Sequence, residues 1–270
     1  MTNQEFSDMF TTLLNSYGTV AEFGDVASRQ EITLNEYEKS SLLTQAQDII
    51  VKSYFEGGDG TTGKAFDESE RRQVDFSSLI RNAELTQSSD SSDLAFDERG
   101  IVFELPKKKD GSGTEIPNTT DVLFILNERL VYNNSGNRKV YVIVPISYKE
   151  YDRIMSKAFA FPMKRQAWRL FQNQSAGFDV KTELIPRFNL DSASVSDFTY
   201  RIRYVRRPRP IILEDLPDGL TIDGENNESS CELNPILHTD ILTKAVELAY
   251  ATRMPRREQQ RNSDNRNNND

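Results

Sequence analysis

The stretch from Ser229 to Arg253, SSCELNPILHTDILTKAVELAYATR, constrains the fold most. Asn234 stands where a helix N-cap belongs, and Pro235 follows at the first helical position, where its missing N–H costs nothing. Leu237, Ile241, Leu242, Ala245, Val246, Leu248 and Ala249 then recur at three- and four-residue spacing, one apolar stripe along a helix that must be buried. Pro255 forbids continuation. Upstream, YRIRYVRRPRPIIL (200–213) alternates as a strand with Phe198, Tyr200, Ile202 and Tyr204 on one face and Thr199, Arg201, Arg203 and Val205 on the other, then stiffens into a basic Pro-x-Pro crossing. A strand running through a polar linker into a capped closing helix implies a mixed fold.

The N-terminal part is helical by pattern. Phe6, Met9, Phe10, Leu13, Leu14 and Tyr17 give an amphipathic helix over 3–17, with Gly18 as its stop. Thr33 and Glu36 have capping-box spacing and open a second helix, with Leu34, Tyr37, Leu42, Leu43, Ala46, Ile49, Ile50, Tyr54 and Phe55 facing inward as far as Gly57-Gly58. Together they read as an α-hairpin. Residues 66–85 are mixed, helical or extended, and 86–93 is a polar linker.

Strands dominate from there: 101–105, 122–132 and 139–146, the last two joined by an NNSGN hairpin turn at 133–137. The 106–118 loop is exposed. Ser147 and Glu150 cap a helix over 147–158, residues 161–172 continue as a short second helix carrying Trp168 and Phe171, and 180–188 is a strand. The expected architecture is α+β: an N-terminal helical hairpin, a mostly antiparallel central and C-terminal sheet with short helices, and a closing helix. The expected regions are 1–85, helical; 94–253, α+β and closed by the last helix, packing with 1–85 as one domain or standing apart; and a polar, asparagine-rich tail at 254–270 that is disordered unless a partner orders it.

Composition excludes several kinds of chemistry. With one cysteine (Cys231) and one histidine (His238), no internal disulfide can form, and the usual His/Cys metal sites and Ser-His or Cys-His engines are hard to build. Cys231 reads as a small buried residue, and His238, in the first turn of the closing helix, as a packing residue. GDGTTGK (58–64) fits the frame of a phosphate-binding loop, but Ala65 stands where magnesium needs a hydroxyl, and the motif follows a helix instead of a strand. Asp90, Asp93, Asp97 and Glu98 lie in serine-rich loop without a glycine-centred calcium pattern. No catalytic residue, cofactor or metal is expected, and the chain is read as a non-enzyme. There is neither an apolar run of about 18 residues nor a basic-then-apolar leader, so no membrane association and no signal peptide are expected.

In a chain of net charge −9, the basic run Arg201, Arg203, Arg206, Arg207 and Arg209 stands out. It suits carboxylates of a neighbouring subunit, a phosphate backbone, or an ordinary solvated edge. The lack of aromatic residues on the arginine face favours a subunit over a nucleic acid.

Three segments carry a resemblance: ITLNEYEKSSLLTQAQDIIVKSYFEG (32–57), YRIRYVRRPRPIIL (200–213) and CELNPILHTDILTKAVELAYATR (231–253). In this order they resemble virion structural proteins of crAss-like bacteriophages, ring or adaptor components of the head–tail connector, over about residues 1–253. The resemblance implies a homo-oligomeric ring, twelvefold, docked on the portal protein with another ring or tail protein below. Genomic DNA would pass through the lumen without sequence-specific binding, and the protein would reside in a virion assembled in the host cytoplasm. The five arginines are the expected subunit interface, and the 106–118 loop and the tail are candidates for contacts between rings. Other virion parts, in the tail or associated with the capsid, and a nucleic-acid-binding module using 200–209, are the alternatives.

Overall fold

The computed structural model describes residues 1–21, 33–56, 74–87, 95, 97, 99–109, 113–115, 119–134, 137–157, 161–172, 181–187, 197–217 and 219–253. The phosphate-loop look-alike at 58–64, Asp90, Asp93, Glu98, residues 110–112 and 116–118 of the 106–118 loop and the 254–270 tail lie outside them. The fold is α+β, with four α-helices and seven strands among the described residues. The chain divides into two compact units, one formed by Met1–Leu79 with Pro208–Asp270, the other by Ile80–Arg207. The sequence-based regions follow chain order; the units do not, and the closing helix belongs with the N-terminal helices.

The helical unit contains α1 (Asn3–Ala21), α2 (Glu36–Glu56) and the closing helix. α1 runs through Gly18, because a helical glycine costs only about 1 kcal/mol relative to alanine. α2 starts two residues later than its pattern suggests. The capping box is Asn35 with Glu38: the Glu38 N–H donates to Asn35 Oδ1 (2.7 Å) and the Asn35 N–H to Glu38 Oε2 (3.1 Å). The spacing is that of Thr33 and Glu36, but asparagine is the better N-cap. The closing helix begins as predicted, with Asn234 Oδ1 accepting from the Ile236 N–H, a 3-10 turn at Pro235–Leu237, and the α-helix over His238–Arg253. Its Ile241, Leu242, Ala245, Val246 and Ala249 are buried, as are Phe6, Phe10 and Leu14 of α1 and Leu43, Ala46, Ile50 and Val51 of α2. α1 and α2 pack chiefly on the closing helix and less on each other.

In the sheet unit the strands are β1 (Ile80–Leu85), β2 (Ile101–Glu104), β3 (Val122–Asn134), β4 (Asn137–Pro145), β5 (Gln166–Gln172), β6 (Lys181–Pro186) and β7 (Phe198–Arg206), in spatial order β1-β7-β3-β4-β5-β6-β2. All pairs are antiparallel except β4 with β5. That parallel pair is spanned by α3 (Tyr148–Met155), capped by Ser147 as expected. An isolated antiparallel bridge from Gln87, just past β1, to Phe103 of β2 joins the two edges, so the sheet curls round on itself.

Residues 161–172 are not a helix. Gln166–Gln172 is strand β5, buried on both faces: Ala167 points into the core of the curled sheet, while Trp168 and Leu170 meet Tyr151 of α3 and Ile185 of β6. The mixed stretch 66–85 ends in an edge strand, β1. Inside the curl lie Phe198, Tyr200, Ile202 and Tyr204 with Leu130, Tyr132, Tyr141, Ile143, Ala167, Leu184, Ile101 and Phe103, the alternate residues of six strands. No described helix is long and apolar enough to cross a membrane.

Candidate interaction surface

β7 positions the surface. Period two sends Phe198, Tyr200, Ile202 and Tyr204 inward, so Arg201 and Arg203 point out. Neighbouring strands complete two rows across the outer face. Arg201 lies between Glu84 of β1 and Arg129 of β3, and Arg203 lies between Asn82 and Asn127. An Arg201 Nη2 to Glu84 Oε1 contact of 3.0 Å and an Arg203 Nε to Asn82 Oδ1 hydrogen bond of 3.0 Å hold the two side chains. Exposed Arg129 has no carboxylate partner among the described residues. Asn82, Glu84, Asn127, Arg129, Arg201 and Arg203 line an open groove of about 300 Å³.

The other three arginines of the run go elsewhere. Arg206, half-buried at the end of β7, acts on Asp121. Burial raises the Asp121 carboxyl, against the pull of a hydrogen bond from Tyr204 and of the Arg206 charge. Tyr204 donates to Asp121 Oδ2 at 3.2 Å and is pushed up to about 12, by burial first and by that carboxylate second. Arg207 is exposed, and its N–H donates to the Asp121 carbonyl at 2.9 Å. Arg209 belongs to the helical unit, where it is a structural tie. Its carbonyl accepts from Gln47 Nε2 at 2.7 Å, and its guanidinium sits 3.8 Å from Glu232.

Two polar networks sit in the sheet unit away from the groove. In the core, Arg169 Nε is 3.0 Å from Glu128 Oε2, which also accepts the Tyr200 hydroxyl at 2.6 Å. Burial, then the Glu128 charge, raises Tyr200 far above the usual phenol. At the α3 side, Asp97 is buried; Arg99 and the Tyr151 hydroxyl (2.8 Å) both donate to it. Burial alone would raise its carboxyl, but these hydrogen bonds outweigh burial and hold it below the usual range. Gly100 is required beside this network, because a Cβ there would lie 2.2 Å from Glu183 Oε1 and 2.9 Å from the Asp97 carbonyl.

His238 is buried, with Nε2 3.1 Å from the Leu233 carbonyl and its ring 5.0 Å from that of Phe6, a packing role. Cys231 is half-buried, its thiol 3.5 Å from Gln47 Oε1 and pushed up to about 11 by burial. Among the described residues no group of three or more His, Cys, Asp or Glu could hold a metal.

Sequence reasoning found Arg201 and Arg203 but missed Arg129, Asn127, Asn82 and Glu84, whose place depends on strand register. Residues 1–262 match the family described as "Phage tail ring protein 3/4". The chain belongs to the phage tail ring protein 3/4 family. Two proteins of Bacteroides phage crAss001 are similar to it nearly end to end. Its "Ring protein 4/5" is 40% identical over 254 residues, 93% of each chain. Its "Ring protein 3" is 35% identical over 256 residues, 94% of this chain and 96% of that one. The outer face of β7 is thus a surface of a virion ring component.

Proposed function

We propose that this phage ring protein forms a closed homo-oligomeric ring, twelvefold, in the head–tail connector. It docks on the portal protein on one side and on an adjacent ring or tail protein on the other. Its lumen forms part of the conduit through which genomic DNA passes without sequence-specific binding. Its role is structural and not enzymatic, within a virion assembled in the host cytoplasm. The observation that carries this reading is the likeness, over 93% or more of the chain, to two different ring proteins of one phage.

Closed rings are made by heterologous contacts, so each subunit must present two unlike faces. Arg201 and Arg203 supply a basic contact surface for one of them. Electron microscopy of the purified chain mixed with its candidate portal tests the proposal. Twelvefold annuli seated on the portal are expected. Bare portal beside unassembled chain contradicts it.

A further inference from the structure

Charge is unevenly divided between the two units. Ile80–Arg207 holds 20 Lys and Arg against 16 Asp and Glu, net +4; the rest holds 13 against 26, net −13, giving the −9 of the whole. The acidic excess has a focus. From Pro210 to Thr243 there is no Lys or Arg and there are eight Asp and Glu.

Part of this segment is a folded loop. Ile212 and Ser229 exchange main-chain hydrogen bonds (3.0 and 2.9 Å), and the Leu216 N–H donates to the Asn226 carbonyl at 2.8 Å. Ile212, Leu216 and Ile222 form a small core beneath it. Positive φ at Gly219 (92°), Asp223 (51°) and Gly224 (83°) turns the chain back. Glu214, Asp223 and Glu228 are exposed. The acidic group is therefore presented on an ordered loop.

The basic counterpart is the groove on the sheet unit, where the guanidiniums of Arg129, Arg201 and Arg203 face the single carboxylate of Glu84. Guanidinium forks bind carboxylates in bidentate fashion, and complementary charge fixes register and rejects wrong partners. We infer that the acidic loop 212–229 of one copy docks in the Arg129–Arg201–Arg203 groove of the next, as the heterologous contact of the ring. This rests on the ring reading and deepens it by naming both faces. A phosphate backbone is the competing occupant of the groove.

The test is the R129E/R201E/R203E variant, compared with wild type by native mass spectrometry at about 50 mM and about 500 mM salt. Wild-type rings should weaken at high salt, and the variant should assemble on the order of 100-fold less well while its circular dichroism is unchanged. Adding Glu214→Arg and Glu228→Arg to the reversed variant should restore rings, which a misfolded variant could not do. In a separate R201K/R203K variant, zero-length carbodiimide should join the new amines to carboxylates of 212–229 on another subunit.

Rings of the reversed variant equal to wild type would overturn the inference while leaving the ring reading standing. Failure of the charge swap to rescue, or cross-links lying elsewhere, would overturn the assignment of the loop. Duplex DNA binding that the reversal abolishes, with ring assembly intact, would assign the groove to phosphate. Wild-type protein that never assembles would remove the ring reading itself.

Discussion

The sheet unit is one uninterrupted run of chain, whereas the helical unit is made of two runs, one before it and one after it in sequence. Their cores are closed differently. The sheet unit satisfies its main chain by strand pairing and fills its curl with alternate side chains. The helical unit must receive an extended segment, 209–213, which among the described residues no strand pairs beyond the single Ile212–Ser229 bridge. Three polar residues of α2 do that instead: Ser40 Oγ accepts from the Leu213 N–H (3.0 Å), Thr44 Oγ1 from the Ile211 N–H (3.1 Å), and Gln47 donates to the Arg209 carbonyl. They lie at i, i+4 and i+7, one helical face, and are buried. A buried main-chain group needs a partner, so these side chains set where the returning chain lies. The difference teaches that polar burial locates the chain in one unit and pairing locates it in the other.

Perturbations can be aimed at one unit at a time. Trp168 is the only tryptophan and reports the sheet unit, while three of the four helices report the other by circular dichroism. The largest effect is expected from Arg169→Ala, which leaves the largely buried Glu128 carboxylate without its cation and should destabilise by about 3 kcal/mol. Urea unfolding followed by Trp168 fluorescence should move, with the helical signal lagging behind it. Movement of both signals together would mean the units unfold as one.

Thr44→Val keeps the volume but leaves the Ile211 N–H unpaired, at about 1–3 kcal/mol. The loss should register in the helical signal first. A shift below about 0.5 kcal/mol would mean that the polar ties do not hold the segment. Asn35→Ala removes the α2 cap and should cost about 1 kcal/mol, again in the helical unit. Asn35→Asp, which keeps the acceptor, should restore most of it.

The smallest effect concerns pH. Burial lowers the pKa of His238 below 6.5, so the folded state resists the proton that the unfolded state takes up. The sign follows: stability is fully present above about 6.5 and falls as pH drops toward the folded value. As the only histidine, His238 should account for the slope between pH 7 and 5, and His238→Gln should flatten it in helical-signal melts. An unchanged slope in the variant would assign it to carboxylates.

Much of this was legible in the sequence where one periodicity spoke alone. The closing helix, α1, the β3–β4 pair and the inward face of β7 follow from spacing, because in each one face carries most of the buried side chains, although β3 and β7 also bury Val131 and Val205 on the other. Strand β5 was not legible: Ala167, Trp168, Arg169 and Leu170 are all buried, and a short apolar run buried on both sides has no period to separate strand from helix. The α2 cap slipped by two residues because two boxes of equal spacing overlap. The groove was half legible. Alternation gave Arg201 and Arg203, but Arg129 and Glu84 join them only through a register that a single strand does not encode. The acidic loop reads in sequence as a polar linker, and only its cross-bridges make it an ordered loop.

The most direct test of the central claim is mass photometry of the purified wild-type chain, alone and with portal. A discrete species near 370 kDa, twelve copies of 30.9 kDa, or stoichiometric decoration of the portal, is the predicted result. A stable 30.9 kDa monomer indifferent to the portal would contradict it.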